Sequence, residues 1–304
     1  MGYRLATYAA EGGPRAGLVI GDELFDAATL TGHASDLTVL GILDDWATAR
    51  QRLARTAAVP GKGRPLADIR LLAPVRWPSA IYCAGANYAD HAAEMARAQN
   101  RPPPPDPHTL GLKPWHFIKA GRSTLAAPDE TVAITGMSQT MDWEIELAAV
   151  IGARAKNVSL AQALDHVAGY TIANDLSARD MGRRSGVPDD SPFKFDWVAH
   201  KNFDGSCPLG PWIVPAGDIP DPQNLGLKLW VNDVIKQDSN TAKMIFSIAE
   251  QIAHLSSRIT LNPGDVVLTG TPSGVGAARK EFLKAGDVVK LWVEHIGTLT
   301  NRMA

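Results

Sequence analysis

The sequence predicts an α+β fold rich in strands, with a small N-terminal α+β domain at residues 1–70 and a larger, strand-rich domain at 71–304. Three observations lead there. Short apolar runs recur between Pro and Gly turns. Few stretches carry helical periodicity. Strands and helices do not alternate regularly and no internal repeat is present, which favours a mixed β-roll or barrel over a doubly wound sheet.

In the first unit, Tyr3–Ala9, Arg15–Ile20 and Glu23–Phe25 read as strands divided by GGP and GD turns. Leu37, Leu40, Leu43, Ala47, Arg50 and Leu53 then fall at helical spacing, so one amphipathic helix is expected over about 36–57. PGKGRP at 60–65 closes the unit. Beyond it, strands are expected at Ala80–Cys83, Glu144–Ile151, Val167–Ala173, Trp212–Val214, Gly226–Val231, Val266–Thr269 and Val288–Val293. Asn87 is suited to cap a helix that follows it. Ser159 and Gln162 read as a capping box opening a helix to about His166. A further helix is expected from Thr241, with Ile245, Ile248, Ala249, Ile252 and Leu255 as its apolar stripe. RPPPPDP at 101–107 is either a stiff exposed spacer or part of a lid.

Composition bounds the function. At 304 residues and 45% hydrophobic, the chain can bury a sizeable core. Its net charge of −2 gives no global basic field for nucleic acid. Cys83 and Cys207 lie far apart with no CxxC, which argues against a disulfide framework and structural zinc. No run of about 18 apolar residues occurs, and MGYRLATYAAEGGPR lacks the apolar stretch of a signal peptide. No membrane partner and a cytoplasmic location are therefore expected.

Two acidic stretches suggest a cation site. In MDWEIELAAV, Glu144 and Glu146 share one face of a strand. An edge strand turning its acids to water would show the same pattern. Yet this strand runs on into AAVIG, which reads as buried on both faces, and Asp175 closes the apolar run GYTIAN, with Asp180 nearby. Carboxylates about 5 Å apart repel by roughly 3 kcal/mol at an effective dielectric near 20. A divalent ion removes that conflict. Oxygen ligands without Cys or His suit Mg²⁺ or Mn²⁺, with Ca²⁺ a further option, better than zinc.

His91 and Glu94 stand at i, i+3 in YADHAAEMARA, so they are neighbours on one helix face. A carboxylate beside an imidazole is the arrangement a general base needs; a surface pair would look the same. Lys119 in FIKAGRS and Lys201 in HKNFDG can bind a carboxylate or stabilise developing charge, or simply bury their stems. LTGTPSGVG at 268–276 lacks the lysine and spacing of a phosphate loop; it reads as a tight turn presenting backbone N–H groups and the Thr271 hydroxyl.

The order of these pieces is specific. It runs C-x-G-x-NY-x-x-H-x-x-E, F-x-K, DWEIELAAVIG, NDLSARD, K-x-FD-x-x-CPLGPWIV, NPGDVVLTGTPSGVG and a closing GD-x-V-x-x-W-x-E. This resembles the fumarylacetoacetate hydrolase family, and in particular its acylpyruvate and fumarylpyruvate hydrolases, over about Leu71 to Asn301. The resemblance implies a mixed β-sandwich roll, a homodimer, and Mg²⁺ or Mn²⁺ held by Glu144, Glu146 and Asp175. It implies a water-activating dyad of His91 and Glu94, often on a lid. Lys201, Arg179 and Thr271 match substrate-contacting positions. Where many members carry Gln, this chain has Gly182, followed by Arg183 and Arg184. Arg183 is thus a candidate for a distal substrate carboxylate, or part of a solvated loop. The reaction implied is cleavage of a C–C bond in a 2,4-diketo acid to release pyruvate. Isomerisation or decarboxylation of a related 2-oxo acid is the alternative on the same site, and a non-catalytic metal-binding scaffold the alternative of another class.

Overall fold

The first three strands form where expected, as β1 (Arg4–Ala10), β2 (Gly13–Ile20) and β3 (Glu23–Asp26), joined as antiparallel hairpins. A computed structural model describes residues 2–134, 136 and 138–304; Met1, Thr135 and Met137, which fall within the two expected units, lie outside the described residues. The single helix expected over 36–57 is two helices, α1 (Val39–Asp44) and α2 (Trp46–Ala57). Asp45 breaks the spiral at φ −119° and ψ 32°. Asp36 lies before α1, fully buried in an ion pair with Arg52 of α2 at 2.6 Å. That pair holds the start of the segment in a 3₁₀ turn, and Thr38 Oγ1 accepts the Gly41 N–H as the cap of α1.

The remaining principal elements follow in order: β4 (Ile81–Ala84), α3 (Ala89–Ala98), β5 (His116–Lys119), β6 (Ile145–Ile151), β7 (Val167–Asn174), α4 (Trp197–Lys201), β8 (Cys207–Pro215), β9 (Gly226–Val231), β10 (Val234–Asn240), α5 (Ile248–Arg258), β11 (Val266–Leu268), β12 (Val288–Val293) and β13 (Gly297–Met303). Three expected helix starts differ. Tyr88, not Asn87, holds the cap position of α3. The Asn87 side chain instead donates to the Phe246 and Thr269 carbonyls and accepts the Phe246 N–H, tying the helix start to two distant loops. Residues 160–166 are 3₁₀, because Ser159 Oγ bonds the Gln162 side chain and caps no backbone N–H. Thr241 opens only a 3₁₀ turn; the long helix α5 starts after Ser247, which forms a capping box with Glu250.

Two sheets result. The larger has twelve strands and runs β3-β2-β1-β8-β7-β6-β11-β4-β5 along its main path, and the smaller, of five, includes β10-β9-β12-β13. Strand β6 is central and buried on both faces. Ile145, Leu147, Ala149 and Ile151 pack with Leu227, Leu229, Leu291 and Val293 of the smaller sheet. Ala148 and Val150 face the other way, into a core shared with Ile42 of α1 and Leu53 of α2. That second core runs across residue 70, joining Leu5 and Leu18 to Leu209 and Val266, and it encloses Cys83 and Cys207. The pattern is an α+β, β-rich sandwich roll. Among the described residues no helix is long and apolar enough to cross a membrane.

Candidate active site

Glu144 and Glu146 have the same parity as Ala148 and Val150, so they emerge on the face of β6 that the N-terminal helices cover further along. There the strand begins, and the acids meet the end of β7. Glu146 lies opposite Ala173, and the Asp175 N–H donates to the Glu144 carbonyl at 2.9 Å. This pairing brings Asp175 to the two glutamates. Ligand oxygens of Glu144, Glu146 and Asp175 all lie within 4.8 Å of one another, and all three residues are buried.

The cluster carries its own cations. Lys201 Nζ, at the end of α4, donates to Glu144 Oε2 at 2.8 Å and to Asp175 Oδ2 at 2.6 Å. Arg179 pairs with the other oxygen of Glu144 and, at 2.9 Å, with Asp142. Asp142 also accepts the N–H groups of Gly276 and Ala277, so this acid of the DWE motif is a clamp for Arg179 and the 276–279 turn. Burial disfavours the Glu144 charge, but Lys201 and Arg179 outweigh it and hold its pKa well below the usual carboxylate range. Glu146 has no such cation: burial, with repulsion from Asp175 and Glu144, pushes it well above that range.

Two observations test whether these residues fit a divalent ion. Glu146 is a buried carboxylate among like charges, with the Gly270 N–H at 2.6 Å as its bonded donor. Asp175 Oδ1 is buried and receives no hydrogen bond from the described residues. Lys119 Nζ lies 2.9 Å from it, but its N–H bonds go to the carbonyls of Leu176, Lys201 and Ser206. A carboxylate oxygen left without a donor beside two other acids is what a hard cation requires. The residues fit.

His91 and Glu94 both project from α3, with His91 Nδ1 4.0 Å from Glu94 Oε2. Glu94 is fixed from behind by the Gly274 N–H at 2.7 Å. Burial opposes its charge, but His91 and that N–H prevail and hold its pKa below the ordinary value. The Thr271 hydroxyl accepts from Gln237, whose side chain also bonds Pro272 and Ile145.

These groups meet in a cavity of about 110 Å³, lined by His91, Glu144, Glu146, Arg179, Lys201 and Thr271. Trp115, Phe117, Trp197 and His200 complete its wall. Of the residues expected to contact substrate, Lys119 is fully buried beneath Asp175 and outside this lining, so it holds the acid in place. Arg183 is exposed, beside Asp189 at 3.4 Å, and also stands outside it. Gln237, His200, Trp115 and Trp197 were not singled out by the sequence, because each joins the site through tertiary packing; Phe117 was quoted only as the first residue of F-x-K.

Comparison with known proteins identifies the family and the fold. The fumarylacetoacetate (FAA) hydrolase C-terminal family matches residues 80–304. A mitochondrial oxaloacetate tautomerase of Xenopus laevis is 43% identical over 77% of this chain and 68% of its own length. A human mitochondrial oxaloacetate tautomerase is 41% identical over 79% and 71%. Among solved structures, maleylpyruvate hydrolase from Sphingobium sp. SYK-6, in complex with manganese(II) and pyruvate, superposes with a TM-score of 0.77 at 32% identity, covering 99% of this chain and 98% of that one. A 2-hydroxyhepta-2,4-diene-1,7-dioate isomerase from Mycobacterium marinum gives 0.71 at 31%, with 99% and 98% covered.

Proposed function

The chain belongs to the fumarylacetoacetate hydrolase family, and from that premise we propose that it is a divalent-metal enzyme that moves a proton at the carbon beside the carbonyl of a small 2-oxo acid. Keto–enol tautomerisation of oxaloacetate is the reaction we favour. The observation that carries it is one small cavity, about 110 Å³, on which Glu144 and Glu146 of the triad, the cations Lys201 and Arg179, and the His91 imidazole converge. A four-carbon acid suits that space. The relatives named as oxaloacetate tautomerases support the same reading.

Glu144, Glu146 and Asp175 would hold Mg²⁺ or Mn²⁺, which supplies Lewis acidity toward the oxygens of the acid. Lys201 commits two N–H bonds to the triad and keeps the third for substrate. Arg179 adds a second positive charge at the wall. His91 Nδ1 faces Glu94, leaving Nε2 to accept the proton from carbon and return it to oxygen. Thr271, held by Gln237, stands ready to bond that oxygen.

Hydrolysis of a 2,4-diketo acid such as fumarylpyruvate or maleylpyruvate is the second reading. The His91–Glu94 pair favours it, since the same base can activate water, as does the likeness to the maleylpyruvate hydrolase. One assay separates them: the decay of enol-oxaloacetate, and pyruvate release from acylpyruvates, each with Mg²⁺, Mn²⁺ or EDTA. Metal-dependent enol decay without acylpyruvate cleavage supports tautomerisation; the reverse establishes hydrolysis. Inactivity on both, insensitive to chelator, rejects the proposal. A cytoplasmic homodimer belongs to the same proposal, with fractionation and light scattering as its checks.

A further inference from the structure

His200 plays no part in the reaction described above, yet it lines the cavity and is only 7% exposed. Neither Nδ1 nor Nε2 has a hydrogen-bond partner among the described residues. Leaving one buried polar atom unpaired costs about 1–3 kcal/mol, so an imidazole with both nitrogens unpaired asks for a bound group. The ring is held in place by its neighbours. Phe195 meets it edge-on at 5.6 Å and Trp197 lies at 5.7 Å. On a third side stands Gly182, where an added Cβ would come 3.0 Å from Cγ and 3.2 Å from Nδ1 of His200. The missing side chain at 182 makes room for the imidazole.

We propose that His200 is a substrate-binding residue, whose uncharged imidazole hydrogen-bonds an oxygen of the 2-oxo acid beside Lys201. This rests on the function proposed above, since it needs an acid in the cavity. A neutral imidazole offers one donor and one acceptor. It can give its N–H to a keto oxygen or accept from an enol hydroxyl, whereas the ammonium of Lys201 can only donate. Burial, reinforced by Lys201 and Arg179, pushes the His200 pKa down to about 3, which keeps the ring in that dual form at neutral pH.

The test uses His200→Leu, which removes both bonding atoms, His200→Asn, which keeps a donor and an acceptor, and Gly182→Ala, which crowds the ring from the far side. Oxalate binding to the Mn²⁺-loaded protein is measured by calorimetry, alongside Mn²⁺ affinity and the KM for oxaloacetate. Expected are about tenfold weaker oxalate binding and a matching rise in KM for His200→Leu, the scale of one lost buried hydrogen bond. Mn²⁺ affinity stays unchanged, His200→Asn recovers part of the loss, and Gly182→Ala reproduces it. Wild-type oxalate affinity in His200→Leu overturns the proposal, as does a loss of Mn²⁺ affinity that accounts for the whole effect. Wild-type protein that binds Mn²⁺ but neither oxalate nor any of the tested acids overturns the functional reading itself, and the His200 role with it.

Discussion

Glu144 and Glu146 differ in what surrounds them, and their substitutions should differ accordingly. Glu146→Gln removes a ligand charge without stranding a cation, so we predict lost Mn²⁺ affinity with the fold kept. Glu144→Ala also loses the metal, but it leaves Lys201 and Arg179 short of a counter-charge. Breaking such a buried pair costs about 3–5 kcal/mol, and urea unfolding of the metal-free variants will show whether that gap exists. His91→Ala should keep Mn²⁺ bound while turnover falls by about 10² or more, the scale of general-base catalysis; an unchanged rate removes His91 from the reaction. The Glu144–Glu146 and His91–Glu94 pairs were legible because strand and helix periodicity put those side chains on common faces, whereas Asp175, on a separate stretch, was joined to the glutamates only by the family resemblance. The tasks of Lys119 and Asp142 were not legible, since nothing local says that one lies beneath Asp175 and the other clamps Arg179.

Elements set the site's walls through a few close approaches. Trp115 packs directly on Gly85, where a Cβ would fall 1.9 Å from the indole. Gly85→Ala should therefore displace Trp115 from the cavity wall, raising KM with little change in melting temperature; indole fluorescence quenching by substrate is the readout. At the start of α5, Ser247 and Glu250 form a reciprocal capping box. Ser247→Ala should cost about 1 kcal/mol in chemical denaturation. Strands with strict alternation, β9 and β12, were read from the sequence with correct bounds. The polar run VIKQDSN of β10 carries no such alternation, so that strand declares itself only through pairing with β9. The Thr241 segment was misjudged because its apolar stripe belongs to α5, while the true start is marked by hydroxyl and carboxylate rather than by hydrophobic spacing.

At the scale of the whole molecule, we propose that residues 1–70 and 71–304 are two topological units that unfold together. Strand β1 pairs with β8, and one core spans both units. A 71–304 fragment should therefore be unstable or aggregate, whereas independent folding with full Mn²⁺ affinity would show two autonomous domains. Acid should weaken the intact protein in a defined window. His200 stays neutral in the fold down to about pH 3, whereas an unfolded histidine takes up a proton near pH 6.5. Its contribution is complete above pH 6.5 and lost as pH falls, on the order of 2 kcal/mol by pH 5; His116, lowered to about 4 by burial and the nearby His254, acts in the same direction. Unfolding free energies at pH 5 and 7, with a smaller difference in His200→Leu, will check this. The two enclosed cysteines offer a different vantage. Burial raises both thiols out of the reactive range, Cys207 to about 12, and they sit on strands separated by three others in the same sheet. Alkylating reagents will meet them only when that sheet parts, so the two labelling rates form a paired clock. Equal rates mean that the molecule opens as one body, and unequal rates reveal which edge peels away first.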